Sequence, residues 1–248
     1  MRERDWERSV LLTPRPAPAA DPELISDGGG MAFSPGALDA PDGGLDPEDP
    51  AVGALLTQLG REKAPKAKPR APWKRGAAPI AATDARPPLT TLGTWRQLAR
   101  AADEALFGRG RPPQLLTVAV RREGRGGAWT CVGTSAGRPL RASRDGIRAS
   151  GWRLDPDHEL TVADTVLRVL VTEQTYSGGS RADGRLLAPD LYLDDDELVL
   201  WMFITPRGGF QTRVPNPETP ARVALPEPVG ERLLIDGAIY PKQSSGED

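Results

Sequence analysis

Along the second half of the chain, apolar and polar residues alternate with a period of two. Leu115 to Glu123 (LLTVAVRRE) alternates, GRGG follows, and Ala128 to Thr134 (AWTCVGT) returns, the pattern of a β-hairpin. Further strand patterns run from Gly146 to Leu154, Thr165 to Tyr176 and Arg185 to Leu193, then from Leu198 to Thr205, Ala221 to Leu225 and Arg232 to Ile235. The segment LVLWMFIT (Leu198 to Thr205) is apolar on both faces, which predicts a central strand buried on both sides. Turn residues separate the segments, at Arg144-Asp145-Gly146, Asp155-Pro156-Asp157, Ser177 to Ser180 and Asp194 to Glu197. The series predicts an all-β domain, either an antiparallel β-sandwich or a partly open barrel.

Two segments carry the helical period instead. From Thr94 to Phe107, capping-box spacing between Thr94 and Gln97 precedes a stripe of Trp95, Leu98, Ala102, Ala105 and Leu106. Gly108 and Pro112-Pro113 are placed to end it, so a leading α-helix over 94–107 is expected to pack on the sheet. Farther upstream, Asp49-Pro50 supplies an N-cap and a first-turn proline, and Val52, Leu55, Leu56 and Leu59 follow at helical spacing before Gly60. A helix of that length is too short to persist alone in water. It is expected to dock, either in a groove of a partner or on the chain's own folded domain. The apolar patch of Trp6, Val10, Leu11 and Leu12 is a second docking candidate.

Composition changes the reading of the first third. The chain of 248 residues contains 26 Pro and 27 Gly, and 14 of the prolines fall within residues 1–88. With few large apolar residues to offset the ordering entropy, that stretch is expected to be a disordered tail. Its charges are segregated. Between Asp21 and Gly60 there are eight acidic residues and no basic one, while 61–75 holds seven basic residues and the single acid Glu62. The basic block over 61–75, with Trp73, reads first as a solvated linker, and after that as a nucleic-acid candidate through phosphate neutralisation and stacking. The expected organisation is a tail over 1–88, a β-domain over 89–241 and a disordered C-terminus over 242–248. Net charge is −2, no apolar run approaches a membrane span, and the lone Cys131 has no partner for an internal disulfide. Val10 to Leu12 is too short for an export-signal core, so a cytoplasmic protein is expected.

The chemistry on offer is sparse. His158 is the only histidine, which removes multi-histidine metal sites, and no Gly-x-Ser-x-Gly elbow presents a nucleophile. His158 follows a turn and reads as a solvated loop residue. Cys131 sits inside a strand, with no base identifiable beside it. Asp194-Asp195-Asp196-Glu197 lacks the spacing and the glycine of a calcium loop and reads as a hairpin tip. No cofactor motif is present, and no catalytic or metal-binding residue is assigned. The proline-bounded connection from Arg207 to Pro220 is the candidate interaction surface, with Phe210, Arg213, Asn216 and Trp152 the residues singled out. Its alternative role is to hold an extended crossover against a sheet edge.

From Trp152 to Gly237 several short motifs recur in order: Trp152-Arg153-Leu154-Asp155-Pro156, Leu170 to Glu173, Ala182-Asp183-Gly184-Arg185, Gly209 to Thr212, Pro215 to Pro220, Glu227 to Arg232 and Ile235-Asp236-Gly237. In these the chain resembles a β-domain family of uncharacterised actinobacterial proteins, many of them exported or lipid-anchored. The resemblance carries no activity. It implies the β-fold, and it implies that Tyr176 and Arg213, where exported relatives carry cysteines, lie close together; their replacement here fits a reducing compartment. The functional expectation is a non-enzymatic interaction or scaffold module whose tail recruits another protein. A small-ligand or carbohydrate-binding domain using Phe210 with Trp152 or Trp129 is the alternative, and a hydrolase using His158 the third.

Overall fold

The computed structural model describes residues 6–63, 89–174, 177–208 and 214–242. In chain order the strands are β1 (Val10–Leu12), β2 (Arg15–Pro16), β3 (Ile25–Ser26), β4 (Arg96–Arg100), β5 (Glu104–Arg109), β6 (Leu116–Arg122), β7 (Trp129–Ala136) and β8 (Leu140–Arg144). Then come β9 (Ile147–Arg148), β10 (Gly151–Leu154), β11 (Val166–Thr172), β12 (Asp190–Leu193), β13 (Glu197–Trp201), β14 (Thr219–Ala224), β15 (Leu233–Asp236) and β16 (Ile239–Tyr240). The helix α1 (Pro50–Lys63) lies between β3 and β4. The fold is mostly β, with four sheets, one α-helix and no closed barrel among the described residues. Two compact units are present: Met1–Gly28 with Ala32–Pro35 and Pro139–Asp248 form the first, and Gly29–Met31 with Gly36–Arg138 the second.

In the second unit, β4 to β7 pair antiparallel in chain order, and α1 lies on one face. Asp49 caps the helix, its Oδ1 accepting the Ala51 N–H at 2.8 Å. Val52, Leu55, Leu56 and Leu59 are all buried against Trp95, Ala105, Phe107, Val118 and Val120. Full burial of each such side chain contributes about 1.5–3 kcal/mol. The residues foreseen as a docking face are therefore committed to the chain's own core, and the helix runs through Gly60 to Lys63.

The helix expected over 94–107 is corrected. Leu89–Thr94 forms a 3₁₀ turn, and the remainder is the β4–β5 hairpin. Period-two burial on two faces explains the error: Ala105 and Phe107 face α1 while Leu106 is buried on the other face, so the apolar run mimics a helical stripe. Gly108 serves the hairpin, since a Cβ there would overlap the Leu98 side chain across the strand pair.

The first unit is built around two sheets, ordered β1-β14-β11-β10 and β15-β13-β12-β2. Leu12, Leu167, Val169, Val171, Ala221 and Val223 of the first sheet meet Leu191, Leu198 and Leu200 of the second, with Met202 and Ile204 just beyond β13, in one core. The opposite face of β13 carries Val199 and Trp201, which join Ala142, Phe203, Ile235 and Ala238 in another. The strand read as buried on both sides is so buried. A third sheet, β16-β8-β3 with β9 alongside β8, completes the unit.

Two expectations change here. The pairing is mixed, because β1 with β14, β2 with β12 and β13 with β15 run parallel. And the stretch from Trp6 to Lys63 is not a tail among the described residues. It supplies β1, β2 and β3 to the first unit and α1 to the second, and buries Trp6, Leu12, Ile25, Phe33 and Leu38. Scattered single apolar residues, each finding a prepared site, stand in for the continuous apolar run that a sequence pattern needs. The basic block beyond Lys63 and the C-terminal residues past Lys242 lie outside the described residues.

Candidate functional site

Residues 10–17 form a strap across the two main sheets of the first unit. β1 lies along β14, the chain turns at Thr13-Pro14, and β2 lies along β12. Backbone bonds from Arg15 N to Pro189 O (2.8 Å) and from Ala17 N to Leu191 O (2.7 Å) fix the second half. Only Leu12 of the strap enters the core between the sheets; Val10 and Leu11 are 44% and 52% exposed. Among the described strands, β14 alone pairs with β1, so its outer edge is open. Beside the strap lies a cleft of about 420 Å³, lined by Thr13, Pro14, Pro16, Leu191, Leu193 and Ala224 among others. Its wall holds no charged side chain.

The residues singled out from sequence lie elsewhere. Phe210 and Arg213 fall outside the described residues, as does Tyr176, so their expected proximity is outside them too. Asn216 sits in a buried polar network. Its Oδ1 accepts the Ser177 N–H at 3.0 Å and the Ser177 hydroxyl at 2.7 Å, and its Nδ2 donates to Glu173 O at 3.0 Å. The Glu173 carboxylate, 4% exposed, takes both Arg185 Nη groups at 2.7 and 2.5 Å. Arg185 also donates to Thr205 O at 2.8 Å, and Thr219 Oγ1 accepts the Ala182 N–H at 2.8 Å. Asn216 thus holds loops together, and its amide is spent inside the protein.

Trp152 is also engaged inward: its Nε1 donates to Leu200 O at 3.0 Å and its ring packs against the core between the two sheets. Its backbone N–H donates to Asp236 Oδ2 at 3.2 Å, while Asp236 Oδ1 accepts the Ala238 N–H at 2.9 Å. Burial pushes the Asp236 carboxyl above the ordinary aspartate value, against the lowering effect of those two amides and of Arg141. Gly237 is required by packing, because a Cβ there would overlap the Trp201 indole. The motif Ile235-Asp236-Gly237 is accounted for residue by residue, by core, turn cap and close approach.

The remaining candidates sort as follows. His158 N–H bonds Asp155 O at 3.3 Å in a turn, and no serine or cysteine hydrogen-bonds its ring among the described residues. Asp194 organises the β12–β13 tip, accepting the Asp196 and Glu197 N–H groups at 2.9 and 2.7 Å and the Tyr192 hydroxyl at 2.8 Å. These hydrogen bonds, with the Glu197 amide first, hold its carboxyl below the ordinary aspartate value. Cys131 is half-buried on β7 beside the core under α1. Trp129 begins the same strand, its ring beneath Arg100 (4.7 Å) and Arg122 (5.7 Å). Among the described residues no three His, Cys, Asp or Glu side chains gather as a metal site, and no helix is long and apolar enough to cross a membrane.

Comparison with family models, with curated proteins and with solved structures found no match to this chain. The cleft is the feature sequence reading missed. Its lining comes from isolated residues of a proline-rich stretch and from strand ends, and only the apolar patch Val10-Leu11-Leu12 pointed toward it.

Proposed function

We propose that the chain is a non-enzymatic binding module of the cytoplasm, and that the first unit is a sandwich-like scaffold of the β-domain family its motifs resemble. The motifs of that resemblance hydrogen-bond to one another through Glu173, Arg185, Asn216, Trp152 and Asp236, which supports a scaffolding role for them. The observation that carries the reading is the uncharged cleft beside the strap, continuous in sequence with the open edge of β1. The occupant proposed is an extended apolar segment of another protein. Its backbone would pair with β1 and its side chains would enter the cleft, the geometry of strand addition.

Replacing Ala224 with Arg places a long cation in the cleft from a half-buried wall position, and Leu11→Lys charges the open edge. Quantitative cross-linking in the native host should show the same partner depleted at least about tenfold by both variants, with their melting temperatures close to that of the unaltered protein. An unchanged partner set in both would sink the reading. A small apolar ligand is the second reading, favoured by a cleft volume within the ~300–1,000 Å³ typical of small-molecule sites. Native mass spectrometry decides between the two: an adduct carried by the purified protein and absent from Ala224→Arg supports the ligand.

A further inference from the structure

A second surface of the first unit lies on β10, where Gly151 carries no side chain. Three polar heads surround the position a side chain would take. A Cβ built on Gly151 would lie 3.6 Å from Asp236 Oδ2, 3.7 Å from Gln174 Nε2 and 4.0 Å from Arg141 Nη1. Strand pairing brings them together: β8 supplies Arg141, the end of β11 leads to Gln174, and β15 supplies Asp236.

Arg141 is the unusual member. Its guanidinium is half-buried, yet it makes one hydrogen bond, to Ala149 O at 3.4 Å, and no ion pair among the described residues. A guanidinium carries five donors, and no Arg141 nitrogen is both buried and unpartnered, so the donors beyond the Ala149 bond stay accessible to a ligand. Burial lowers the Arg141 pKa, and the nearby Asp236 only partly opposes this. Gln174 is exposed and commits one amide hydrogen, to Thr172 O at 3.2 Å. Each Asp236 oxygen accepts one backbone N–H and retains a second lone pair.

The charges of Arg141 and Asp236 cancel, which selects the ligand. An anion gains Arg141 but meets the Asp236 carboxylate, and a cation meets the reverse. A neutral group with an acceptor and a donor uses both. We propose that the niche over Gly151 recognises a carboxamide, whose oxygen accepts from Arg141 and Gln174 and whose nitrogen donates to Asp236. The proposal stands apart from the cleft and does not depend on it.

The test is an NMR titration of the full chain with acetamide, sodium acetate, methylammonium chloride and N-methylacetamide in turn. Acetamide is expected to move the Arg141 Nε–H signal and the Trp152 and Ala238 backbone amides along a saturating curve. Acetate and methylammonium should move them less. The variant Gly151→Asn supplies a carboxamide from the chain itself, at a position with ordinary contact distances and no left-handed backbone requirement. In it those shifts should be lost. A response to N-methylacetamide equal to that of acetamide identifies a backbone peptide group as the ligand, and a response to acetamide alone identifies a side-chain amide. The proposal fails if acetate or methylammonium gives the larger shifts, if no probe moves these signals, or if Gly151→Asn responds as the unaltered protein does. The comparison among probes in the unaltered protein stands by itself should Gly151→Asn not fold.

Discussion

In the second unit every sheet neighbour is also a sequence neighbour: β4, β5, β6 and β7 pair in order through short turns. In the first unit β1 pairs with β14, β2 with β12 and β3 with β8. The first arrangement closes small loops, and its contacts reward each closure at once. The second must bring together segments more than a hundred residues apart before any of them gains burial. Local pairing therefore assembles the sheet of the second unit, whereas three short N-terminal strands of the first have sites only because the later sheets exist.

The sharpest way to break that contrast is truncation. A chain beginning at Pro88 loses Leu12, Ile25 and Phe33 from one unit and α1 from the other. It is expected to lose its cooperative thermal transition, and a calorimetric peak like that of the full chain would show that the N-terminal strands are dispensable. Next in size is Leu55→Ala, which opens a cavity between α1 and its sheet. It should cost about 2–5 kcal/mol, read as faster hydrogen exchange across β4–β7. Exchange there unchanged from the parent would mean that α1 does not hold the sheet.

Gly237→Ala probes the first unit at a single crowded contact. Forcing a methyl against Trp201 should cost about 1–3 kcal/mol, measured by chemical denaturation with a change in tryptophan fluorescence. A neutral result would mean that the indole moves aside freely. The smallest effect concerns pH. Asp236, raised by burial, favours folding when protonated, so its contribution is lost as pH rises through its folded value. Asp194, lowered by turn hydrogen bonds, acts in the opposite sense: its contribution is present above the unfolded value and lost as pH falls through the folded one. Carboxyl ¹³C titration should place the two on opposite sides of the ordinary aspartate value. Coincident curves would contradict the burial of Asp236.

What could be read from the sequence does not follow that division. The β6–β7 hairpin and the doubly buried β13 were legible because each declares itself within a few residues. The cap at Asp49 and the apolar face of α1 were legible too, although not the surface they cover. The β4–β5 hairpin was mistaken for a helix because Trp95, Leu98, Ala102, Ala105 and Leu106 fall at helical spacing, whereas in the fold Ala102 is exposed between the strands and Ala105 and Leu106 are buried on opposite faces. Ile25 and Phe33 gave no signal, since a lone apolar residue among turn-forming residues shows no periodicity. The candidate sites fared worse. Asn216 and Trp152 proved to be internal fasteners, while the cleft and the Gly151 niche are assembled from segments far apart in sequence.

The pairing of Leu12 with Val223 has a consequence for how the chain is made. Its partner strand is synthesised ~210 residues later, which at about 5–20 residues per second leaves β1 waiting for roughly 10–40 s on the ribosome. Once Ala136 has been made, α1 and β4–β7 are all present, while Leu12 still waits for β14.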